Sequence, residues 1–337
     1  MATPDPASDS SCHGHDIEVV GAPVDLGGAG AGAAGGPAAL RAAGILEIAG
    51  RSVVDHGDVE VAGLPEGTTI ERGPDPESRR PEWPVMREVC AALHARTRAA
   101  VAGGSIPITL GGDHTIAAGS MSGVAAGWCD RHGAIASTDA PPLGLVWFDA
   151  HADLNTPDTT PSGNPHGMPG AALLGHRVAP LDDVVGELGT FDRSRTVFLG
   201  CRDLDPGERA RCSTNPDSDL PLLVEGEAFL RESPDSIAER VLRRIAPDGG
   251  AFALSFDLDV LDPSHAPGVN LPVPHGLDPT TVLEVLRRLA AHGGCIAMDV
   301  VELDPTADRD DVTARLGVEA VATMFGVDRL RTASGGG

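Results

Sequence analysis

Val146-Trp147-Phe148-Asp149-Ala150-His151-Ala152-Asp153 is an apolar run that stops abruptly in metal-type side chains. Counted from Leu143, the run is continuous rather than alternating, as expected of a strand buried on both faces of a parallel sheet. Two other segments repeat the pattern. Ile106-Pro107-Ile108-Thr109-Leu110 leads into Gly111-Gly112-Asp113-His114, and the run 251–256 leads into Asp257-Leu258-Asp259. Ligands of parallel α/β sheets gather at the carboxyl ends of strands, so these three ends can converge.

Outward from these segments the same alternation continues. Further strand-like runs lie at 17–21, 196–200 and 295–301. Helical patterns separate the strands: 37–44 after a Gly/Ala-rich loop, and 84–101 with Val85, Val89 and Leu93 on one face. Ser233-Pro234 and Asp278-Pro279 each supply an N-cap and a first-turn proline to a following helix, and 312–326 is a last amphipathic helix. Loops at 64–83, 132–142 and 203–221 are rich in Pro, Asp, Ser and Gly. No linker or repeat interrupts the series, so the chain reads as one α/β domain over 16–330 with a mainly parallel sheet. Residues 1–15 read as a disordered tail and 331–337 as a flexible one; Cys12, His13 and His15 lack the further ligands a metal would need.

The composition narrows the partners. At 337 residues and 41% hydrophobic, the chain can bury a large core. It has no run of about 18 apolar residues to span a bilayer. Its start lacks a basic and then apolar leader, which predicts a cytoplasmic protein. The net charge is −24, from 25 basic and 49 acidic residues, with no lysine. Nucleic acid and anionic membranes need basic stripes and are excluded as partners. Two readings of the acidity stand: attraction for a cationic substrate, or solubility and compositional bias, the latter suggested by the missing Lys and Tyr. Six cysteines without CxxC spacing read as free thiols, Cys201 and Cys295 being packed in or beside strands.

Charge crowding gives the strand ends a chemistry. Asp149, Asp153, Asp257 and Asp259 could not all stay ionised together without cations, because desolvation and mutual repulsion would raise their pKa values. Two divalent ions would supply four positive charges. Carboxylates with two imidazoles, His114 and His151, and no thiolate suit Mn²⁺ better than structural Zn²⁺. Alternation along an extended chain puts Asp149, His151 and Asp153 on one side, and Asp257 with Asp259 likewise. A lone Asp-x-Asp at a strand end is commonly a cap or a surface turn; three such ends in series are not.

These segments resemble the signature motifs of the ureohydrolases, the arginase and agmatinase family. The likeness runs from about residue 17 to 328 and includes Val20-Gly21-Ala22-Pro23, and Gly36-Pro37 before Leu40-Arg41-Ala42-Ala43-Gly44. The resemblance implies a three-layer α/β/α fold with a parallel eight-stranded sheet. It implies two Mn²⁺ per subunit, one held by His114, Asp149, Asp153 and Asp257, the other by Asp149, His151, Asp257 and Asp259. It also implies a homotrimer or homohexamer.

Asn155, Ser162 and Asn164 are similar to the residues by which the arginase branch binds a substrate α-carboxylate. In Cys201-Arg202-Asp203-Leu204-Asp205-Pro206-Gly207-Glu208, Asp205 matches the residue that accepts from the α-ammonium, with Asp203 and Glu208 nearby. By the same resemblance Glu302 grips the guanidinium. The implied reaction is hydrolysis of L-arginine to L-ornithine and urea by a hydroxide shared between the metals. In it Asp153 carries a proton to the departing amine and His166 exchanges protons with solvent.

One departure stands out. Arginases commonly read glycine and threonine before a proline where this chain has Val269-Asn270-Leu271-Pro272, so Leu271 replaces a hydroxyl expected near the site. Leu271 is the feature that favours the alternative substrates, agmatine, guanidinobutyrate or another guanidino acid. A catalytically weak binding subunit is a second alternative, opposed by the complete set of matched catalytic positions.

Overall fold

The apolar runs become the inner strands of an eight-stranded, all-parallel sheet in a computed structural model of the chain. The structure describes residues 16–326 apart from 29, 49, 64–81, 135–139 and 187–189. Both expected tails, most of the 64–83 loop and the middle of the 132–142 loop lie outside the described residues. The strands are β1 (Ile17–Gly21), β2 (Val53–Asp58), β3 (Ile106–Leu110), β4 (Leu143–Phe148), β5 (Thr196–Leu199), β6 (Leu222–Val224), β7 (Ala251–Asp257) and β8 (Cys295–Val301). Their order across the sheet is β2-β1-β3-β8-β7-β4-β5-β6. The two strands last in the chain, β7 and β8, thus slot between β3 and β4, with Leu110 beside Val300 and Phe148 beside Phe256. That insertion makes neighbours of the strand ends that carry the acidic motifs.

Parallel strands need crossovers, and the described helices supply them. They are α1 (Gly36–Ala42), α2 (Glu82–Gly103), α3 (Ala117–Arg131), α4 (Pro169–Leu173), α5 (Asp182–Val185), α6 (Pro206–Arg209), α7 (Pro234–Ile245), α8 (Pro279–His292) and α9 (Val312–Phe325). Successive strand residues point to opposite faces and so define three layers. Val146 and Phe148 join a core with Leu40 of α1, Ile237 of α7, Leu286 of α8 and Val321 of α9. Leu145 and Trp147 join another with Met121 of α3, Ala171 of α4 and Val185 of α5. Two helix starts follow the expected chemistry: Ser233 Oγ accepts from Ser236 N at 3.2 Å, and Asp278 Oδ1 from Thr280 N at 2.8 Å.

Several elements are absent from the sequence reading, the short helix α6 inside the expected 203–221 loop among them, and three show a physical reason. Strand β2, Val-Val-Asp-His-Gly-Asp, is an edge strand, and Val54, Asp55, His56 and Asp58 are exposed, so no apolar run marks it. β6 has only three residues. α3 carries no apolar stripe because it is buried on nearly every side and is built of Ala, Gly and Ser.

α3 lies close against α2 through three glycines spaced four apart. A Cβ at Gly119 would meet Cys90 O at 2.3 Å, at Gly123 His94 O at 2.3 Å, and at Gly127 Arg98 O at 2.5 Å. These carbonyls are backbone, which cannot turn aside as a side chain would; at Gly123 the Thr97 hydroxyl stands nearer still, at 2.1 Å. Gly123→Ala is expected to lower stability by about 1–3 kcal/mol through overpacking, outweighing the gain of up to ~1 kcal/mol in helix propensity. The denaturant midpoint of unfolding measures it, and a midpoint at or above that of the parent would count against this packing.

Candidate active site

Four adjacent strand ends carry the titratable residues. His114 opens the turn after β3, Asp149, His151 and Asp153 follow β4, Asp257 ends β7 with Asp259 just beyond, and Glu302 follows β8. His114 Nδ1 lies 3.1 Å from an Oδ2 atom of each of Asp149, Asp153 and Asp257. Those four residues are buried, and Nδ1 makes no directional hydrogen bond. Next to them, His151 Nδ1 lies 3.2 Å from Asp149 Oδ1 and 3.0 Å from Asp259 Oδ2. Asp149 therefore turns one oxygen to each cluster. Asp257 Oδ2 faces the first, and its Oδ1 accepts from Asp259 N at 2.8 Å.

A relay behind His114 sets which ring nitrogen carries the proton. Ser255 Oγ donates to Asp299 Oδ1 at 2.6 Å, so it accepts from His114 Nε2 at 2.8 Å. Ser120 Oγ holds the other oxygen of Asp299 at 2.8 Å. With the proton on Nε2, the lone pair of Nδ1 points among the three carboxylates. Trp147 stacks on the same imidazole with ring centres 4.3 Å apart and donates to Asp149 Oδ2 at 2.9 Å. An orphaned buried nitrogen aimed at three carboxylate oxygens fits a divalent cation, and the sharing of Asp149 fits a second beside it.

The electrostatics agree with that donor set. Burial, joined by the charge of Asp149, pushes Asp153 up to about 6. Burial and the charges of Asp259 and Asp149 raise Asp257 well above the carboxylate range. Burial opposes protonation of His114 and His151, yet the carboxylates around them raise both well above an ordinary histidine. Cations would displace the protons that this cluster otherwise binds.

Glu302 borders the cluster. Its Oε1 accepts from His114 N at 2.8 Å and from His166 Nδ1 at 3.0 Å, whereas Oε2 is buried with no hydrogen-bond partner. Burial alone would depress the His166 imidazole, but its hydrogen bond to Glu302 and that charge carry it above the usual value. Glu302 at φ 63° and Asp153 at φ 51° occupy left-handed backbone. Such conformations cost of order 1–3 kcal/mol in a residue other than glycine and concentrate at functional sites.

The expected substrate residues gather in the loops after β4 and β5. Asn155 Nδ2 donates to Asp205 Oδ2 at 2.9 Å, and Asn164 N donates to Ser162 Oγ at 3.2 Å. Asn164 Oδ1 is buried without a partner. Glu208 is buried, and its two oxygens accept from Leu154 N at 3.1 Å and Asp205 N at 2.9 Å, so it shapes this loop. Asp203 is exposed. Val269 bridges Leu303, next to Glu302, while Leu271, two residues on, is 38% exposed.

Sequence reading gave no role to Ser255, Asp299 or Arg202. The signal for Asp299 was a carboxylate inside the apolar run of β8. Arg202 donates to the carbonyls of Asp259 at 2.7 Å, Val260 at 3.1 Å and Val273 at 2.8 Å, tying the β5 end to the segments after β7.

A sequence model described as the Arginase family matches residues 15–326. The chain belongs to the arginase family. Among its relatives, the arginase of Bacillus caldovelox is 33% identical over 322 residues, which is 92% of this chain and 98% of that one. The arginase of Brevibacillus brevis is 33% identical over 326 residues, 94% of this chain and 99% of the other. The native structure of the Bacillus caldovelox arginase superposes with a TM-score of 0.81 at 31% identity, covering 94% of this chain and 99% of that one. The arginase-family fold and a strand-end cluster of His and Asp that could hold a metal thus occur together in this chain.

Asp299 is the remote anchor of the relay to His114. Asp299→Ala is expected to weaken binding of a divalent cation about 10–100-fold, the usual cost of losing such an outer partner. Equilibrium dialysis with Mn²⁺ as the probe reads it directly, and an unchanged affinity would remove Asp299 from the support of the candidate metal site.

Proposed function

We propose that this protein hydrolyses L-arginine to L-ornithine and urea, using two Mn²⁺ ions. The observation that carries this reading is the half-used carboxylate of Glu302, with Oε1 committed to His114 and His166 and Oε2 buried and partnerless beside the clusters. An acceptor in that position takes a charge-assisted hydrogen bond from a guanidinium N–H. The descriptions of the relatives as arginases support the same substrate.

His114, Asp149, Asp153 and Asp257 would hold one ion, and Asp149, His151, Asp257 and Asp259 the other. Bound there, the ions supply Lewis-acid activation of water at neutral pH. Glu302 orients the guanidinium carbon toward the clusters, contributing by positioning. Asp153, placed between the clusters and the substrate, carries a proton to the departing ornithine amine. His166, held through Nδ1, exchanges protons with solvent through its other nitrogen.

At the far end of the substrate, Asn155, Ser162 and Asn164 receive the α-carboxylate and Asp205 the α-ammonium. Asp203 adds negative potential at the rim, and Glu208 keeps Asp205 in place through its backbone. We place the enzyme in the cytoplasm as a homotrimer or homohexamer; no helix among the described residues is long and apolar enough to cross a membrane.

Urea release from a panel of arginine, agmatine and guanidinobutyrate, with and without added Mn²⁺, tests the substrate. Arginine should be preferred by at least about tenfold in kcat/KM, the scale set by one buried polar contact. Equal rates on agmatine would overturn the assignment. Asp205→Ala should raise KM for arginine with little change in Mn²⁺ content; an unchanged KM would take Asp205 out of the substrate site. His166→Ala should lower kcat roughly 10²-fold or more, the scale of general acid–base assistance, while metal content stays near that of the parent. Manganese loss in that variant would instead make His166 a structural support.

A further inference from the structure

Asp113, next to the metal-type His114, is fully buried and is not one of the cluster ligands. Its Oδ1 accepts from Thr115 N at 3.0 Å, which caps the short turn His114–Ile116. Its Oδ2 does something a local cap does not require: it reaches back 86 residues to accept from Gly27 N at 2.9 Å. The carbonyl of Gly27 in turn accepts from His166 N at 3.2 Å. His166 Nδ1 binds Glu302 Oε1, and the same oxygen accepts from His114 N. The hydrogen bonds form a closed ring, Asp113 to Gly27 to His166 to Glu302 to His114, completed by the peptide bond between His114 and Asp113.

Gly27 fits this ring only as glycine. A Cβ there would lie 2.1 Å from Thr115 Oγ1, 2.7 Å from Asp113 Oδ1 and 3.2 Å from Pro165 Cβ. The Gly27 peptide is therefore pressed between the Asp113 carboxylate and the turn Pro165–Gly167 that carries His166. Glu302 fixes the tip of the imidazole, and Gly27 fixes its backbone. Asp113 fixes Gly27 from the side of the His114 cluster.

We infer that Asp113 is a positioning residue for His166, acting through the Gly27 peptide to hold the imidazole in register with Glu302. The inference rests on the proposed role of His166 in proton exchange. Misplacement of a proton carrier by a fraction of an ångström slows the proton step and leaves substrate binding intact. A purely local cap would behave differently, because its loss would loosen His114 and appear as lost metal.

The test is a double-mutant cycle on the manganese-loaded enzyme, scored by urea release, with Mn²⁺ content and thermal midpoint measured for every variant. Asp113→Asn is expected to lower kcat on the order of tenfold, with KM for arginine changed less than about twofold and Mn²⁺ retained. In the His166→Ala background the same substitution should change kcat by less than about twofold, because its effect passes through the missing imidazole. An equal loss in both backgrounds, or a loss carried by manganese or KM, overturns the inference and leaves the role of His166 standing. Unchanged turnover in His166→Ala alone overturns the proton-exchange role, and the inference with it. If Asp113→Asn fails to fold, Gly27→Ala displaces the same peptide and is put through the same cycle, with the same two outcomes deciding.

Discussion

A carboxylate taken out of water costs several kcal/mol unless a charge or a set of donors compensates it. Behind β4 and β7 four aspartates are buried within reach of two imidazoles, and Asp149 is shared between both groups. That concentration of negative charge organises everything near it. It explains why His114 Nδ1 faces three carboxylates without a directional hydrogen bond, and why the backbone N–H groups of Ala150, His151 and Asp259 all point at carboxylate oxygens. These groups sit at the carboxyl ends of four adjacent strands. A sheet with both faces covered by apolar helices offers no other dry, rigid place where so many carboxylates can be held against one another.

The holding has its own energetic cost, met by packing. Two residues at the site, Asp153 and Glu302, are kept in left-handed backbone, and Glu302 N is secured by Gly112 O at 2.8 Å. Arg202 places a positive charge among carbonyl oxygens, where the negative ends of peptide dipoles collect. Burial lowers its pKa, with the charges of Asp259 and Asp149 opposing. These features make sense together: the strand ends are rigid enough to impose strained conformations, and the surrounding partial charges keep buried ions of both signs tolerable.

What could be read from the sequence follows from the same physics. Inner parallel strands must be apolar on both faces, so β3, β4 and β7 announce themselves as unbroken runs, and the abrupt change to Asp and His at their ends marks the candidate cluster. The gathering of Asp and His side chains around Asp149 was therefore legible in the sequence. Support residues were not, because their motifs are not local: Ser255 and Asp299 sit on different strands and meet only through the register of β7 and β8. The same holds for Glu208, which reads as a substrate contact but spends both oxygens on backbone N–H groups. Helix α3 escaped notice because burial on all sides erases the periodic contrast that reveals a helix.

Strand β2 was hidden for the opposite reason, and its polarity has a consequence of its own. Among the described residues it pairs with β1 alone and forms the rim of the sheet. Such a rim is a template onto which a second molecule could add a strand. Here the rim displays Asp55 and Asp58, anchored by Arg41 at 2.9 and 2.6 Å, on a chain whose net charge is −24. Charged side chains on an edge strand disfavour such pairing. The residues that make β2 a poor strand by composition thus put ion pairs, rather than an apolar ribbon, on the rim of the sheet.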